Sequence, residues 1–249
     1  MRISELFYSI QGEGKLVGVP SVFVRVSGCN LRCVWCDTPY ASWDAAQEAS
    51  REMTPTGVAA EVEQISGGAR HVVITGGEPM MLKETSSLVN MLKRADKHVT
   101  VETAGTLWLE DLPAGGIDLA SVSPKLSNST PWQREGGRFA QLHEKHRINL
   151  DVLKQFACGG GGTVRECQWK FVISGEEDLV EMEALVAQLN EQLPADKRVG
   201  PEDVVLMPEG IDAATLTERS RWLAEVCKGR GYRLSPRLHV YLWGNTRGT

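Results

Sequence analysis

No apolar run in the sequence approaches the roughly 20 residues needed to cross a bilayer, which excludes a helical membrane span. There is no basic excess either: 27 Lys and Arg stand against 32 Asp and Glu, a formal net charge of −5. That balance argues against bulk nucleic acid or an anionic membrane as partner. No repeat in the range of roughly 20–50 residues appears, which removes solenoids and propellers. The one low-complexity stretch is the short glycine run at 159–162. The opening segment MRISELFYSIQGEG is broken by Glu5 and polar residues where a signal peptide would be continuously apolar, so a cytoplasmic protein is expected. Thiols stay reduced there, and the six cysteines read as metal ligands, reactive thiols or buried small residues rather than as disulfides.

What is present is an alternation of β-branched runs with amphipathic stretches. Strands are expected at 21–27, 71–75, 98–102, 119–123, 168–173, 204–207 and 232–235. Helices with apolar residues at spacings of three and four are expected at 55–66, 84–95, 176–193 and 215–228. Alternation with few hairpin signals predicts an α/β chain with a parallel sheet wrapped by helices. About six such units predict a partial (β/α)6-type barrel in one domain spanning 1–249, with chemistry on the loops after the strands. Residues 128–163 form an insertion expected to hold a helix around 139–156, followed by the glycine run.

Directly after the first barrel strand comes Gly28-Cys29-Asn30-Leu31-Arg32-Cys33-Val34-Trp35-Cys36-Asp37. Cys29, Cys33 and Cys36 in one short loop can hold three corners of a cubane cluster and leave the fourth iron open. Structural zinc is the alternative, but it wants four ligands, and Cys158, Cys167 and Cys227 form no tight pair. A zinc-dependent binding module therefore stays open as the reading from a different functional class. Cys158 and Cys167, eight residues apart, also lack the ligand set of a second cluster and read as structural. After the next strand stands Thr75-Gly76-Gly77-Glu78-Pro79, where adjacent glycines permit close backbone approach and a glutamate can accept from an ammonium. Ser123, Pro124 and Lys125, then Met207, Pro208, Glu209 and Gly210, lie at further strand ends.

Together Cys29-x3-Cys33-x-Trp35-Cys36 and the GGEP element resemble the radical S-adenosylmethionine superfamily. The resemblance implies a [4Fe–4S] cluster on the three cysteines, with S-adenosylmethionine chelating the open iron and yielding a 5′-deoxyadenosyl radical. A glycyl-radical-enzyme activating enzyme is the competing reading within that chemistry. Ser9-Ile10-Gln11-Gly12-Glu13-Gly14, Arg25 on the strand before the cluster loop, VETAGT, SVSPK and Leu234-Ser235 followed by His239 narrow it. Over nearly the whole chain these resemble the 7-carboxy-7-deazaguanine synthase family. That implies rearrangement of 6-carboxy-5,6,7,8-tetrahydropterin with loss of ammonia in queuosine and 7-deazapurine biosynthesis.

By the same resemblance, Thr38 ligates Mg2+ with few other protein oxygens. Ile10, Gln11, Gly12, Arg25, Thr75 and His239 contact substrate, with Glu13 added from the same loop; the amide and carboxylate of Gln11 and Glu13 suit a pyrimidinone edge. Trp35, Cys36, Asp37, Gly77, Glu78, Ser123, Pro124, Lys125, Met207, Pro208, Glu209 and Gly210 contact S-adenosylmethionine. No catalytic side chain is assigned beyond these. The Met-Pro-Glu-Gly element departs from the Gln-Pro form of some members, and residues 128–163 exceed compact members, so they receive no role. An external electron donor such as flavodoxin and a homodimer are implied; nucleic acid and membrane are not.

Overall fold

The computed structural model describes residues 1–44 and 50–249. Its strands form one nine-stranded sheet in the order β3-β1-β2-β4-β5-β6-β7-β8-β9. The chain begins with an antiparallel hairpin of β1 (Arg2–Ile10) and β2 (Pro20–Val26), and short β3 (Arg51–Glu52) pairs on the outer side of β1. Then follow α1 (Pro55–Ile65), β4 (His71–Gly76), α2 (Glu84–Arg94), β5 (His98–Thr103) and β6 (Ile117–Val122). The insertion contributes α3 (Ala140–His146) and α4 (Leu150–Ala157). The remaining elements are β7 (Val164–Ile173), α5 (Glu176–Glu191), β8 (Val204–Pro208), α6 (Ala213–Arg230), β9 (Arg233–Leu234) and α7 (Leu238–Trp243). From β2 onward every neighbouring pair is parallel, giving the expected partial barrel, whose outermost strands among the described residues are β3 and β9.

Alternation along the strands decides what faces the lumen. On β2, Val22, Val24 and Val26 enter the main core, whereas Phe23 and Arg25 face the cavity described below. On β7, Trp169, Phe171 and Ile173 pack outward against the helices, and Lys170 and Val172 face in. The helices begin where local chemistry starts them. Thr54 caps α1 by accepting from Gly57 N ahead of Pro55, and Asp212 caps α6 by accepting from Thr215 N. Gly231, at φ 74°, ends α6 in the left-handed conformation that glycine adopts without a Cβ clash.

The structure differs from the sequence-based expectation in several elements. β1 was not expected, because its residues are half-buried rather than alternating cleanly. The helix expected at 139–156 is two helices, split where the Asn149 side chain turns back to accept from Val152 N. β9 spans two residues where four were expected, and α7 was not expected. Among the described residues no helix is long and apolar enough to cross a membrane.

Phe171 is fully buried between sheet and helices. Phe171→Ala should lower unfolding free energy by about 3–5 kcal/mol through lost burial and a residual cavity. Urea titration should show this as a lower midpoint at unchanged slope.

Candidate functional site

The C-terminal ends of the parallel strands open into a cavity of about 450 Å³. One wall is the loop after β2. Its backbone is laced to the glycine turn after β4: Gly77 N donates to Val26 O at 3.0 Å and Glu78 N to Gly28 O at 2.8 Å. A Cβ on Gly77 would stand 1.8 Å from Gly28 O, so no other residue fits this approach. Cys29, Cys33 and Cys36 all line the cavity. Leu31 N donates to Cys29 Sγ at 3.4 Å, and Cys36 Sγ lies 3.2 Å from Ser42 Oγ and 3.8 Å from Thr38 Oγ1.

Burial pushes the Cys29 thiol up to about 12 and raises that of Cys33 as well, so as free thiols both stay protonated. Among the described residues no three His, Cys, Asp or Glu side chains gather as ligands of one ion would. Soft sulfur donors on one wall, each from its own point of a short loop, suit the separate irons of a cubane cluster.

The opposite side is built around a buried guanidinium. Arg237, just before α7, donates through Nε to Glu13 Oε1 at 3.1 Å, through Nη1 to Gly210 O at 2.5 Å, and through Nη2 to Asp37 Oδ2. The other Glu13 oxygen accepts from Lys170 Nζ. Burial alone would raise the Glu13 pKa, but the Lys170 ammonium and the Arg237 guanidinium hold it well below the usual carboxylate range. Lys170 is likewise kept charged against its burial by Glu13 and Glu102.

Glu102 accepts from Gln11 Nε2 at 3.1 Å and from Thr75 Oγ1 at 2.7 Å. Leu238 N donates to Gly12 O at 2.9 Å, and a Cβ on Gly12 would fall 2.1 Å from His239 Nδ1. Glycine at this position is what lets the histidine reach the loop. Burial lowers the pKa of His239.

Arg25 reaches the cavity beside the cysteine wall, its Nε donating to Glu5 Oε2 at 2.7 Å, and Tyr40 OH donates to the same oxygen at 2.8 Å. On the far rim Lys125 Nζ donates to Ser123 Oγ at 2.9 Å and stands 5.5 Å from the centre of the Trp35 ring.

The cavity thus collects Ile10, Gln11, Gly12, Glu13, Arg25, Trp35, Asp37, Thr38, Thr75, Gly77, Ser123, Lys125, Met207 and His239 with the three cysteines. Glu78, Pro124, Pro208, Glu209 and Gly210 do not line it. Glu78 is fully buried, and its carboxylate accepts from Thr103 Oγ1, Ala104 N and Met80 N. Held in this way, Glu78 braces the turn that presents Gly76 and Gly77. Glu209 is paired with Arg219, and Gly210 meets Arg237 through its carbonyl.

Sequence reasoning missed Glu102, Lys170, Arg237 and Tyr40, which line the cavity together with Asn245, Thr246, Arg247 and Thr249 of the tail. A lysine inside the buried run QWKFVI was a readable signal, since an unpaired buried lysine is rare. The others depend on which residues the fold brings opposite them.

The profile of the Radical SAM superfamily matches residues 23–151. A 7-carboxy-7-deazaguanine synthase of Halobacterium salinarum is 44% identical over 251 residues, covering 99% of this chain and 92% of the relative. One from Rhodopirellula baltica is 40% identical, covering 99% of this chain and 88% of the relative. The crystal structure of QueE from Escherichia coli superposes with a TM-score of 0.67 at 26% identity, covering 96% of this chain and 94% of that one.

Glu13→Gln should leave two buried cations short of a counter-charge and cost about 3–5 kcal/mol. Because the folded-state pKa of Glu13 is depressed, its contribution is present above the unfolded carboxylate pKa and is lost as pH falls through the folded one. Stability measured from pH 7 downward should fall with acid in the parent, and less steeply in the variant.

Proposed function

The chain belongs to the 7-carboxy-7-deazaguanine synthases of the radical SAM superfamily, and we propose that the cavity residues described above perform that family's rearrangement. The substrate is 6-carboxy-5,6,7,8-tetrahydropterin and the product 7-carboxy-7-deazaguanine, with loss of ammonia. The observation that carries the residue assignment is the meeting of the three thiols with Gln11, Glu13, Arg25 and His239 in one cavity of about 450 Å³. That volume suits a small heterocycle together with part of a nucleoside cofactor.

A [4Fe–4S] cluster on Cys29, Cys33 and Cys36, with S-adenosylmethionine bound, supplies the radical that starts the reaction. The chain's own work is placement and exclusion of water. Arg25, fixed by Glu5 through Nε, keeps the rest of its guanidinium for the substrate carboxylate. Gln11, Thr75 and Glu102 are already hydrogen-bonded into one array, which supports recognition of the donor–acceptor edge of the pyrimidinone. His239 and Glu13 close that side. Trp35, Gly77, Ser123, Lys125 and Met207 surround the space for S-adenosylmethionine, with Lys125 suited to its carboxylate.

Thr38 holds Mg2+ through its hydroxyl, with substrate oxygens and waters completing the shell; its place on the cavity wall beside Cys36 supports this. The protein receives electrons from an external donor and works as a homodimer. Exposed Tyr8, Tyr241, Leu242 and Trp243 offer apolar area for such pairing.

Anaerobically reconstituted protein supplied with carboxytetrahydropterin, S-adenosylmethionine, dithionite and magnesium should form the deazaguanine, detected by mass. A cluster-loaded sample that forms none removes the assignment. Thr38→Ala should lower turnover by on the order of tenfold at fixed magnesium while iron and sulfide content stay unchanged; turnover indifferent to magnesium in both proteins would remove the cation from this residue.

A further inference from the structure

The cavity draws none of its lining from residues 128–163, yet this insertion holds the two backbone amides that flank Cys33. Val34 N donates to Ser129 O at 2.7 Å, and Arg32 N donates to His143 Nδ1 at 3.1 Å. His143 lies on α3 and is buried. Its other ring nitrogen, Nε2, stands 2.8 Å from Ser129 Oγ, and that hydroxyl donates to Leu126 O at 2.6 Å.

These contacts fix the tautomer. A backbone amide only donates, so Nδ1 presents its lone pair to Arg32 N. The Ser129 proton goes to Leu126 O, so the hydroxyl accepts and Nε2 carries the ring's proton. The ring is therefore a neutral imidazole, and burial holds its pKa down, at about 4.

The helix that carries the ring is itself anchored. Arg147, at the end of α3, donates through Nε to Glu144 Oε2 at 2.9 Å. Through Nη1 it donates to Glu181 Oε1 on α5 at 2.7 Å and to Lys125 O at 3.0 Å. On the loop side, Arg32 Nη1 donates to Cys29 O at 2.6 Å and Leu31 O at 2.8 Å, and its guanidinium lies 5.5 Å from the centre of the Phe139 ring. The direction of the amides bears on redox chemistry, because N–H bonds to the sulfurs of an iron–sulfur centre help set its potential. Leu31 N already donates to Cys29 Sγ, whereas Arg32 N and Val34 N are turned to the insertion.

We propose that His143 is a positioning residue for the cysteine loop: its Nδ1 holds the Arg32 amide away from the sulfurs and so keeps the bound cluster a strong reductant. This rests on the reading of Cys29, Cys33 and Cys36 as cluster ligands. With the acceptor removed, the amide becomes an unpaired donor in a buried loop, and sulfur is the acceptor at hand. A bond from it stabilises the more negative, reduced cluster and raises the potential. The insertion thereby acts on the radical source without touching the cavity.

The test compares two amide substitutions. His143→Asn places Oδ1 where Nδ1 stands and keeps the acceptor for Arg32 N. His143→Gln reaches the position of Nε2, keeps the Ser129 contact and loses the one to Arg32. Redox titration of the cluster-loaded proteins, followed by electron paramagnetic resonance, should give the Asn variant the parent potential. In the Gln variant the ratio of reduced to oxidised cluster at a fixed poise should rise about tenfold, or about 59 mV for one electron. In cluster-free protein, hydrogen exchange over residues 29–36 should be faster in the Gln variant alone. Equal potentials and equal exchange in all three proteins overturn the proposal. So does an equal shift in both variants, which would leave the ring a packing role only. The expected shifts in a protein that forms no deazaguanine would support the positioning role and remove the reaction assignment. Deazaguanine formation with no shift in the Gln variant would remove the role and leave the reaction standing.

Discussion

Asp37, Arg237, Glu13 and Lys170 form an unbroken chain of opposite charges inside the barrel mouth. Arg237, Glu13 and Lys170 are largely buried and each carries a desolvation cost of several kcal/mol that its neighbours offset, whereas Asp37 stays partly exposed at the end of the chain. Because Arg237 binds Glu13, Gly210 and Asp37 at once, the loop after β1, the end of β8 and the cysteine loop hold positions relative to one another. The cavity's shape follows from that constraint. Replacing the network with apolar side chains would give a lumen that packs shut, so the charges keep open a polar space.

The sequence made the radical source legible and the surrounding frame much less so. Three cysteines with C-x3-C-x2-C spacing, and TGGEP after the next strand, are local patterns whose chemistry can be read without knowing what lies opposite. The parallel sheet was legible for the same reason, since VVIT and VVLM are runs buried on both faces. Arg237 was invisible because its role is defined by partners far away in the chain. Glu78 adds what its motif alone could not show: the short turn after β4 points its carboxylate at Thr103 and Ala104.

The glycines in the site divide by cause. Gly77 is demanded by the approach of Gly28 O, a contact between two backbones. Gly12 is demanded by a side chain, His239, arriving from the other end of the sequence. Neither reason is visible in a turn propensity. Both explain why the motifs tolerate no Cβ where they flank the cavity.

The bond between Asp37 and Arg237 joins residues 200 positions apart. During synthesis the cysteine loop leaves the ribosome, and can begin to fold with the first strands, long before its counter-charge has been translated. Until then the cysteine loop lacks the one contact that ties it to the far side of the cavity. The mouth of the site is therefore a late-made feature of a wall whose first strands are made early.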